Sequence, residues 1–403
     1  MSEQSTQKAP LHGPLHGVRV IDLTSVVMGP SATQILGDLG ADVIKVEHPE
    51  GDSVRGIGVN RHAGMGPLYL QNNRNKRSVV LDLKTDAGRD ALLELVRKAD
   101  VFVYNIRPQA IERLRLGYHD LATVNPGLIY AAAVAYGRGG PDAGKPVYDD
   151  IMQAAAGVSN LFHRVDGAPR NAPVNLCDRV TGLYLTISIL SALFHRALTG
   201  KGQEIEVPML ETMVQFVLAD HIAGHAFQPP LGEMGYMRLL SRFRGPYPTK
   251  DGHICLVVYT DRHWRAFTRL IGDPDLLDRD PRFLTQQIRT TNAELCGQYL
   301  AQYTPSRTTA EWLEFCREID IPASPVNAIE DLFELPHLKA VGMFSDMEHH
   351  TEGTLRVARF PVTFSETPAT IRRLAPNLGE HTEEVLREVG EWTPGKDALG
   401  AGR

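Results

Sequence analysis

Asp178, in the stretch Pro173-Val-Asn-Leu-Cys-Asp178-Arg-Val-Thr-Gly182, sets a carboxylate ahead of the apolar run Leu183 to Phe194. Two readings fit. Asp is a favoured helix N-cap, worth about 1 kcal/mol, and Asp178-Arg-Val-Thr181 opening onto an apolar run is what an N-cap predicts. A carboxylate at a helix N-terminus is also kept ionised by the helix dipole, and an ionised carboxylate can attack an acyl carbon. An ordinary Asp is ionised at neutral pH, so such a nucleophile needs no separate base. This window alone does not separate cap from nucleophile. Cys177, its neighbour, reads as a buried structural thiol.

The rest of the chain narrows the choice. At 403 residues it exceeds the size at which one core usually suffices, and 43% hydrophobic residues are enough to bury two. The net charge of -6, with Lys and Arg dispersed, gives no basic patch for nucleic acid. Cys177, Cys255, Cys296 and Cys316 show neither CxxC pairing nor metal spacing, which points to a reducing compartment and no zinc site. Met1 to Gly13 is polar, so no secretory signal is expected. Leu183 to Phe194 is interrupted by Thr and Ser and ends at His195-Arg196, too short to span a bilayer. The expectation is a soluble, cytoplasmic enzyme.

Periodicity predicts the elements that position Asp178. Strands are expected at Val18 to Leu23, Ala41 to Glu47, Ser78 to Leu83, Val101 to Asn105 and Leu128 to Tyr136. Between them come helices at Pro30 to Leu39, Thr85 to Ala99, Pro108 to Leu114 and Tyr118 to Val124. Asp178 then opens a helix to about Leu198, and Gln203 to Met209 returns as a strand. This alternation predicts an α/β fold with a mostly parallel sheet covered on both faces. From about His225 the texture changes: loops at Gln228 to Gly232 and Arg244 to Pro248, a strand at His253 to Tyr259, then helices carrying Trp264 and Trp312. Thr354 to Phe364 reads as a strand and His381 to Val389 as a last helix. The expected organisation is a large domain from 1–225, a small domain from 226–330, and a tail from 331–403 returning to the large one.

A parallel sheet raises the question of a dinucleotide. The first strand runs into Thr24-Ser-Val-Val-Met-Gly29-Pro30, one glycine where the fingerprint needs three, so a nicotinamide or flavin is not expected. P-loop, HExxH and GxSxG motifs are missing, and Gly139-Gly140 before Pro141 reads as a turn.

Other motifs carry a resemblance. Val20-Ile-Asp-Leu-Thr24 with Gly29-Pro30, Leu39-Gly-Ala-Asp-Val-Ile-Lys-Val-Glu47 with Gly51-Asp52 and Arg55, and Asn75-Lys-Arg-Ser78 with Leu81-Asp-Leu-Lys84 resemble the class III CoA-transferases. So do Ala99-Asp-Val-Phe-Val-Tyr-Asn105, Tyr148-Asp149, Asp178 with Thr181-Gly182, Thr199-Gly-Lys-Gly-Gln203 and Leu378-Gly-Glu-His381. The matches run in family order across nearly the whole chain.

The resemblance implies a homodimer of interlocked, ring-like chains, each with a Rossmann-like large domain and a small domain. It matches Asp178 to the family's catalytic aspartate, which takes acyl and CoA groups covalently in turn, with acyl-CoA as substrate and neither metal nor tightly bound cofactor. For CoA it implies Val27 and Met28, His48, Leu83 and Lys84, Asn105, Ile106 and Arg107, Arg113, Lys145 and Tyr148. Arg107, Arg113, Lys84 and Lys145 would suit the CoA phosphates. Leu378 to Thr382 and the segment Asp178 to Tyr184 look most like the dicarboxylate-using branch. Arg55, Arg238 and Arg242 are then candidates to pair with a distal carboxylate, and succinyl-CoA is an expected donor.

Three departures bear on the substrate. Val27 stands where the formyl-transferring members have glutamine, His48 where an Arg is common, and Gly232-Glu-Met-Gly235 is the nearest approach to their tetraglycine loop. Oxalate and formate are therefore not expected. Acyl-CoA racemases share the fold but place a histidine where this chain has Tyr148, a poor base with an ordinary pKa about 10. A non-catalytic acyl-CoA binder, with Asp178 only a cap, is the remaining alternative.

Overall fold

A computed structural model of the chain describes residues 13–390. Most of the expected polar leader Met1 to Gly13, and the end of the 331–403 tail, lie outside the described residues. The chain divides into two compact units, one of residues 13–156, 172–214 and 337–390, the other of 157–171 and 215–336. The second unit contains the expected segment 226–330 and also takes in 157–171 and 215–225.

The first unit is built on six strands. In chain order come β1 (Arg19–Leu23), α1 (Met28–Asp38), β2 (Asp42–Glu47), α2 (Pro67–Asn72), β3 (Lys76–Val80), α3 (Asp86–Arg97), β4 (Val101–Tyr104), α4 (Pro108–Arg113), α5 (Tyr118–Val124) and β5 (Ile129–Val134). Then follow α6 (Asp149–Ala155), α7 (Val158–Asp166), α8 (Leu176–Thr199), β6 (Gln203–Pro208) and α9 (Met209–His221), of which α7 and the part of α9 from Gln215 onward belong to the second unit. The strands pair in the order β3-β2-β1-β4-β5-β6, every pair parallel. Strands covered on both faces read as unbroken apolar runs, and β4 and β5 are buried at every residue. The order reverses between β1 and β4, and in such sheets ligands bind beyond the strand C-termini at that switch point.

Among the described residues one helix, α8, is long and apolar enough by length and composition to cross a membrane, with a mean hydropathy of 1.3. It packs on α1, β5 and β6, as a core helix does. The apolar stretch seen in sequence underestimated this helix, which begins two residues before Asp178. Glycine sets how closely it approaches: a Cβ on Gly182 would come within 2.5 Å of Ser31 Oγ and 2.9 Å of the Met28 carbonyl.

The second unit contains a small antiparallel sheet of β7 (Tyr247–Pro248), β8 (His253–Leu256) and β9 (Ala323–Pro325). Around it lie α10 (Asp261–Leu270), α11 (Leu276–Arg279), α12 (Gln286–Thr291), α13 (Ala293–Tyr303) and α14 (Thr309–Glu318). Trp264, Phe267, Phe283 and Trp312 are buried in its core. The chain then passes through α15 (Pro336–Ala340), the hairpin β10 (Phe344–His349) and β11 (Gly353–Ala358), and α16 (Thr382–Val389). Sequence patterning extended the strand at 354 to Phe364 and missed its partner. Two anticipated motifs serve as scaffold here. Gly379 N donates to Ser78 Oγ and His381 N to the Ser78 carbonyl, both at 2.9 Å, so Leu378 to Thr382 fastens the tail to β3. Asn75 takes the Arg372 N–H at 2.7 Å, and Arg77 pairs with Asp42, Glu384 and Glu388.

The inner ends of the first strands hold charge. Lys76 Nζ lies 3.0 Å from Asp22, with both side chains fully buried. Burial pushes the Asp22 carboxyl up, but Lys76 and Lys45 outweigh it and hold it below its ordinary value. Burial likewise brings Lys76 down to about 8 in spite of Asp22. Lys76→Met should strand a buried carboxylate and cost about 3–5 kcal/mol in urea unfolding, with much of the loss recovered by adding Asp22→Asn. A single-variant loss below about 1 kcal/mol would mean that the pair is not buried as described.

Candidate active site

Asp178 does not cap its helix. The N-cap of α8 is Asn175, and Asp178 occupies the third helical position, because Leu176 and Cys177 already have helical geometry. The main-chain N–H of Asp178 donates to Asp149 Oδ1 at 2.9 Å. Asp149 is buried at the start of α6 and also accepts from Gln153 Nε2 at 2.6 Å. The Asp178 carboxylate is half-buried and has no hydrogen-bond donor among the described residues.

That environment corrects the expectation of an ordinary ionised Asp. Burial, reinforced by the nearby Asp149 carboxylate and only partly offset by Arg179, pushes the Asp178 pKa up to about 7. Burial also raises the Cys177 thiol to about 12, with Asp149 and Asp178 adding to it, so Cys177 is an inert core residue at neutral pH.

The loop after β1 reaches the site in a constrained form. Val26 has φ 71°, a left-handed conformation that β-branched residues rarely adopt. Its N–H donates to Asp52 Oδ1 at 3.2 Å. Lys45 Nζ bridges Asp52 Oδ2 at 3.0 Å and the Thr24 carbonyl at 2.8 Å. Ser25 exchanges two hydrogen bonds with the Asn105 side chain, at 2.9 and 2.8 Å, which ties the β1 loop to the β4 loop across the switch point. Gly29 lets α1 begin here, since a Cβ would fall 2.3 Å from Thr24 Cβ.

Three cavities that share wall residues run along these strand ends. The first, about 430 Å3, is lined by Ser25, Met28, Asn105, Ile106, Arg107, Lys145, Tyr148 and Asp178 among others. Ser25 and Ile106 also line the second, about 400 Å3, with His48, Leu83 and Lys84. Leu83, Lys84 and Leu114 continue into a third of about 470 Å3, where Arg89, Arg113 and Arg115 stand. A half-buried carboxylate therefore lies at one end of a trough and a cluster of cations at the other.

All but one of the residues anticipated for CoA line this trough. The exception is Val27, whose side chain is 1% exposed and lines none of the three cavities. Lys145 is ion-paired with Asp142, and Tyr148 is 71% exposed. Arg89 and Arg115 were not singled out from sequence. Their signal is positional, since each lies on or just after a helix that begins at the C-terminal end of a parallel strand. Arg89 Nε is buried without an acceptor among the described residues.

The arginines proposed for a distal carboxylate fare differently. Arg55 is a scaffold residue: Nε and NH2 grip Glu47 at 2.8 and 2.7 Å, NH2 meets Tyr69 OH, and NH1 faces the Gly64 and Pro376 carbonyls. The guanidinium also stacks 3.7 Å over the Tyr69 ring, leaving no donor for a ligand. Arg238 and Arg242 belong to the second unit.

A raised carboxyl pKa has a definite sign in stability. Between an unfolded value of about 4 and the folded value near 7 the folded state holds the extra proton, so ionisation of Asp178 destabilises the fold as pH rises through that window. Asp178→Asn should therefore raise Tm by about a few degrees at pH 8, with the gain vanishing towards pH 4. A lower Tm at pH 8 would show that the carboxylate stabilises its helix as a cap does.

Comparison with known proteins shows the family. Residues 15–382 match the model of CoA-transferase family III. The chain is 35% identical over 385 residues to succinate–glutarate CoA-transferase of Agrobacterium fabrum, covering 93% of this chain and 96% of that one. It is 35% identical to the beta subunit of succinyl-CoA–L-malate CoA-transferase of Chloroflexus aurantiacus, over 93% and 94% of the two chains. Among solved structures, a CaiB/BaiF family protein from Brucella suis superposes with a TM-score of 0.79 at 32% identity, covering 94% of this chain and all of that one. The chain belongs to CoA-transferase family III and is a CoA-transferase.

Proposed function

We propose that this enzyme moves CoA from an acyl-CoA donor to a free carboxylic acid through covalent aspartyl intermediates on Asp178. The observation that carries the reading is the Asp178 carboxylate itself, half-buried, without a donor among the described residues, at the end of a trough bounded by Lys84, Arg89, Arg113 and Arg115. The cations suit CoA phosphates, and Met28, Ile106 and Leu83 give the pantetheine arm an apolar wall.

The steps balance without an outside reagent. An Asp178 oxygen attacks the thioester carbonyl, the C–S bond breaks, and CoA leaves as thiolate from a mixed anhydride. The thiolate attacks the Asp178 carbonyl, releasing the donor acid and leaving an aspartyl-CoA thioester. The acceptor carboxylate attacks that thioester, and the freed thiolate then takes the acceptor acyl group and regenerates Asp178. One difficult acyl transfer becomes several easier ones.

Small dicarboxylates, with succinyl-CoA as donor, are the proposed substrates. The relatives' names point that way, and Arg107 and Lys145 line the same cavity as Asp178, where one of them can meet a distal carboxylate. The assembly is proposed to be the interlocked homodimer, in the cytoplasm. Its support is an exposed apolar strip on α8, Leu183, Ile187, Phe194 and Leu198, which a second copy would cover.

One observation favours a second reading. A carboxyl group poised near pH 7 suits a general base, as an acyl-CoA racemase requires. The partner acid would have to be the exposed Tyr148. Turnover of a chiral 2-methylacyl-CoA in deuterated water separates the two, since the transferase reading expects no deuterium at carbon 2.

Acyl-CoA followed by hydroxylamine or borohydride should modify Asp178 alone, and Asp178→Ala should abolish exchange while remaining folded. Near-normal exchange by that variant would overturn the mechanism. For wild type, kcat/KM for acyl-CoA should rise between pH 6 and 8 with an apparent pKa near 7. Arg107→Met should raise the KM for succinate and glutarate at least tenfold more than that for butyrate. An equal effect on all three acids would remove Arg107 as the distal-carboxylate partner.

A further inference from the structure

The second unit contains a half-open pocket of about 90 Å3 that the transfer chemistry does not use. Three arginines line it, Arg238, Arg244 and Arg289. Arg289, on α12, is 4% exposed. Its NH1 donates to the Phe283 carbonyl at 2.6 Å and its NH2 to Asp261, but the Nε–H is buried without an acceptor among the described residues. An unpaired donor on a buried charged group is costly, and native structures relieve it with water or an ion.

The charge balance points the same way. Asp261 is the carboxylate that pairs with Arg289. Arg238 and Arg244 form no ion pair among the described residues; Arg238 stacks loosely on Tyr259 at 5.9 Å. Glu294, the nearby acid, pairs with Ser241 and Arg242 and is not part of the wall. Three guanidinium groups against one carboxylate leave a net positive cavity. We propose that it binds a small oxyanion, either inorganic phosphate or a short-chain carboxylate.

Size and lining set the class. A space of about 90 Å3 admits phosphate or an acid of a few carbons. Guanidinium forks bind carboxylate and phosphate oxygens bidentately. Phe243, Leu256, Trp264 and Leu300 supply an apolar wall that could take the alkyl part of a carboxylate.

The test titrates the full-length protein calorimetrically with inorganic phosphate in one arm and sodium butyrate in the other. Saturating CoA is present throughout to occupy the CoA trough of the first unit, and Arg107→Met is titrated in parallel: binding that this variant abolishes belongs to the acceptor subsite beside Asp178 and counts against the cavity of the second unit. Wild type should show saturable binding in at least one arm, and which arm responds identifies the source of the oxyanion. The double variant Arg238→Met with Arg244→Met, both outside the buried core, should weaken that binding at least tenfold without changing Tm. Arg289→Met, if folded, should do the same. No saturable binding of either probe, or equal binding by the folded double variant, would overturn the proposal. A failure of CoA itself to bind would be seen before either probe is added and would count against the transferase site.

Discussion

Lys45 and Asp52, buried together behind the loop that leaves β1, hold the part of the fold on which the site depends. Their contact at 3.0 Å fixes the Asp52 carboxylate, which takes the Val26 N–H, while Lys45 holds the Thr24 carbonyl. A β-branched residue at positive φ costs about 1–3 kcal/mol and persists only where its surroundings over-determine it. Here they do. Asn105 reaches from the neighbouring strand to grip both sides of Ser25, so the switch point is closed by side chain rather than by a glycine-rich turn. The trough inherits its shape from these contacts, since Ser25 stands in the walls of two of its cavities.

Asp178 reaches the same place by a different route. It arrives on α8, whose approach to α1 is set by Gly182 against Ser31 and Met28, while Asp149 anchors its main chain. The arrangement trades stability for reactivity. A carboxylate given full hydrogen bonding would be content in water and slow to attack. With burial and a second carboxylate beside it, Asp178 is held near the point of losing its proton, and its ionised form gains by forming a neutral anhydride.

Much of this was legible in sequence, for stated physical reasons. Parallel strands buried on both faces announce themselves as apolar runs, as β4 and β5 do; all six strands were placed within a few residues, although β6 is only half-buried and carries two glutamates, and α5 was placed with its observed bounds. Residues after those strands fell into the trough because parallel order sends every such loop to one edge. What periodicity cannot carry is pairing between charges. Arg55 read as a free cation and is fully occupied by Glu47 and Tyr69, eight and fourteen residues away. Asn75 to Ser78 and Leu378 to Thr382 read as family signatures, and both fasten the tail to the sheet. Asp178 read as a possible N-cap because the start of α8 has no apolar pattern to mark it; Asn175 begins the helix without a side-chain cap. α2, α6, α7, α9 and α15 were missed; of these α6 carries Asp149, whose contact with α8 depends on the fold.

The most direct test of the central claim follows an oxygen atom. The enzyme is turned over with an acyl-CoA and an acceptor acid carrying heavy oxygen in its carboxylate, and the peptide containing Asp178 is weighed afterwards. If Asp178 forms the anhydride and thioester in turn, each turnover leaves one acceptor oxygen in its side chain, and the heavy label appears at Asp178 and at no other carboxylate. Complete exchange between the acids with an unlabelled Asp178 would contradict the account, because CoA would then have moved without passing through that carboxylate.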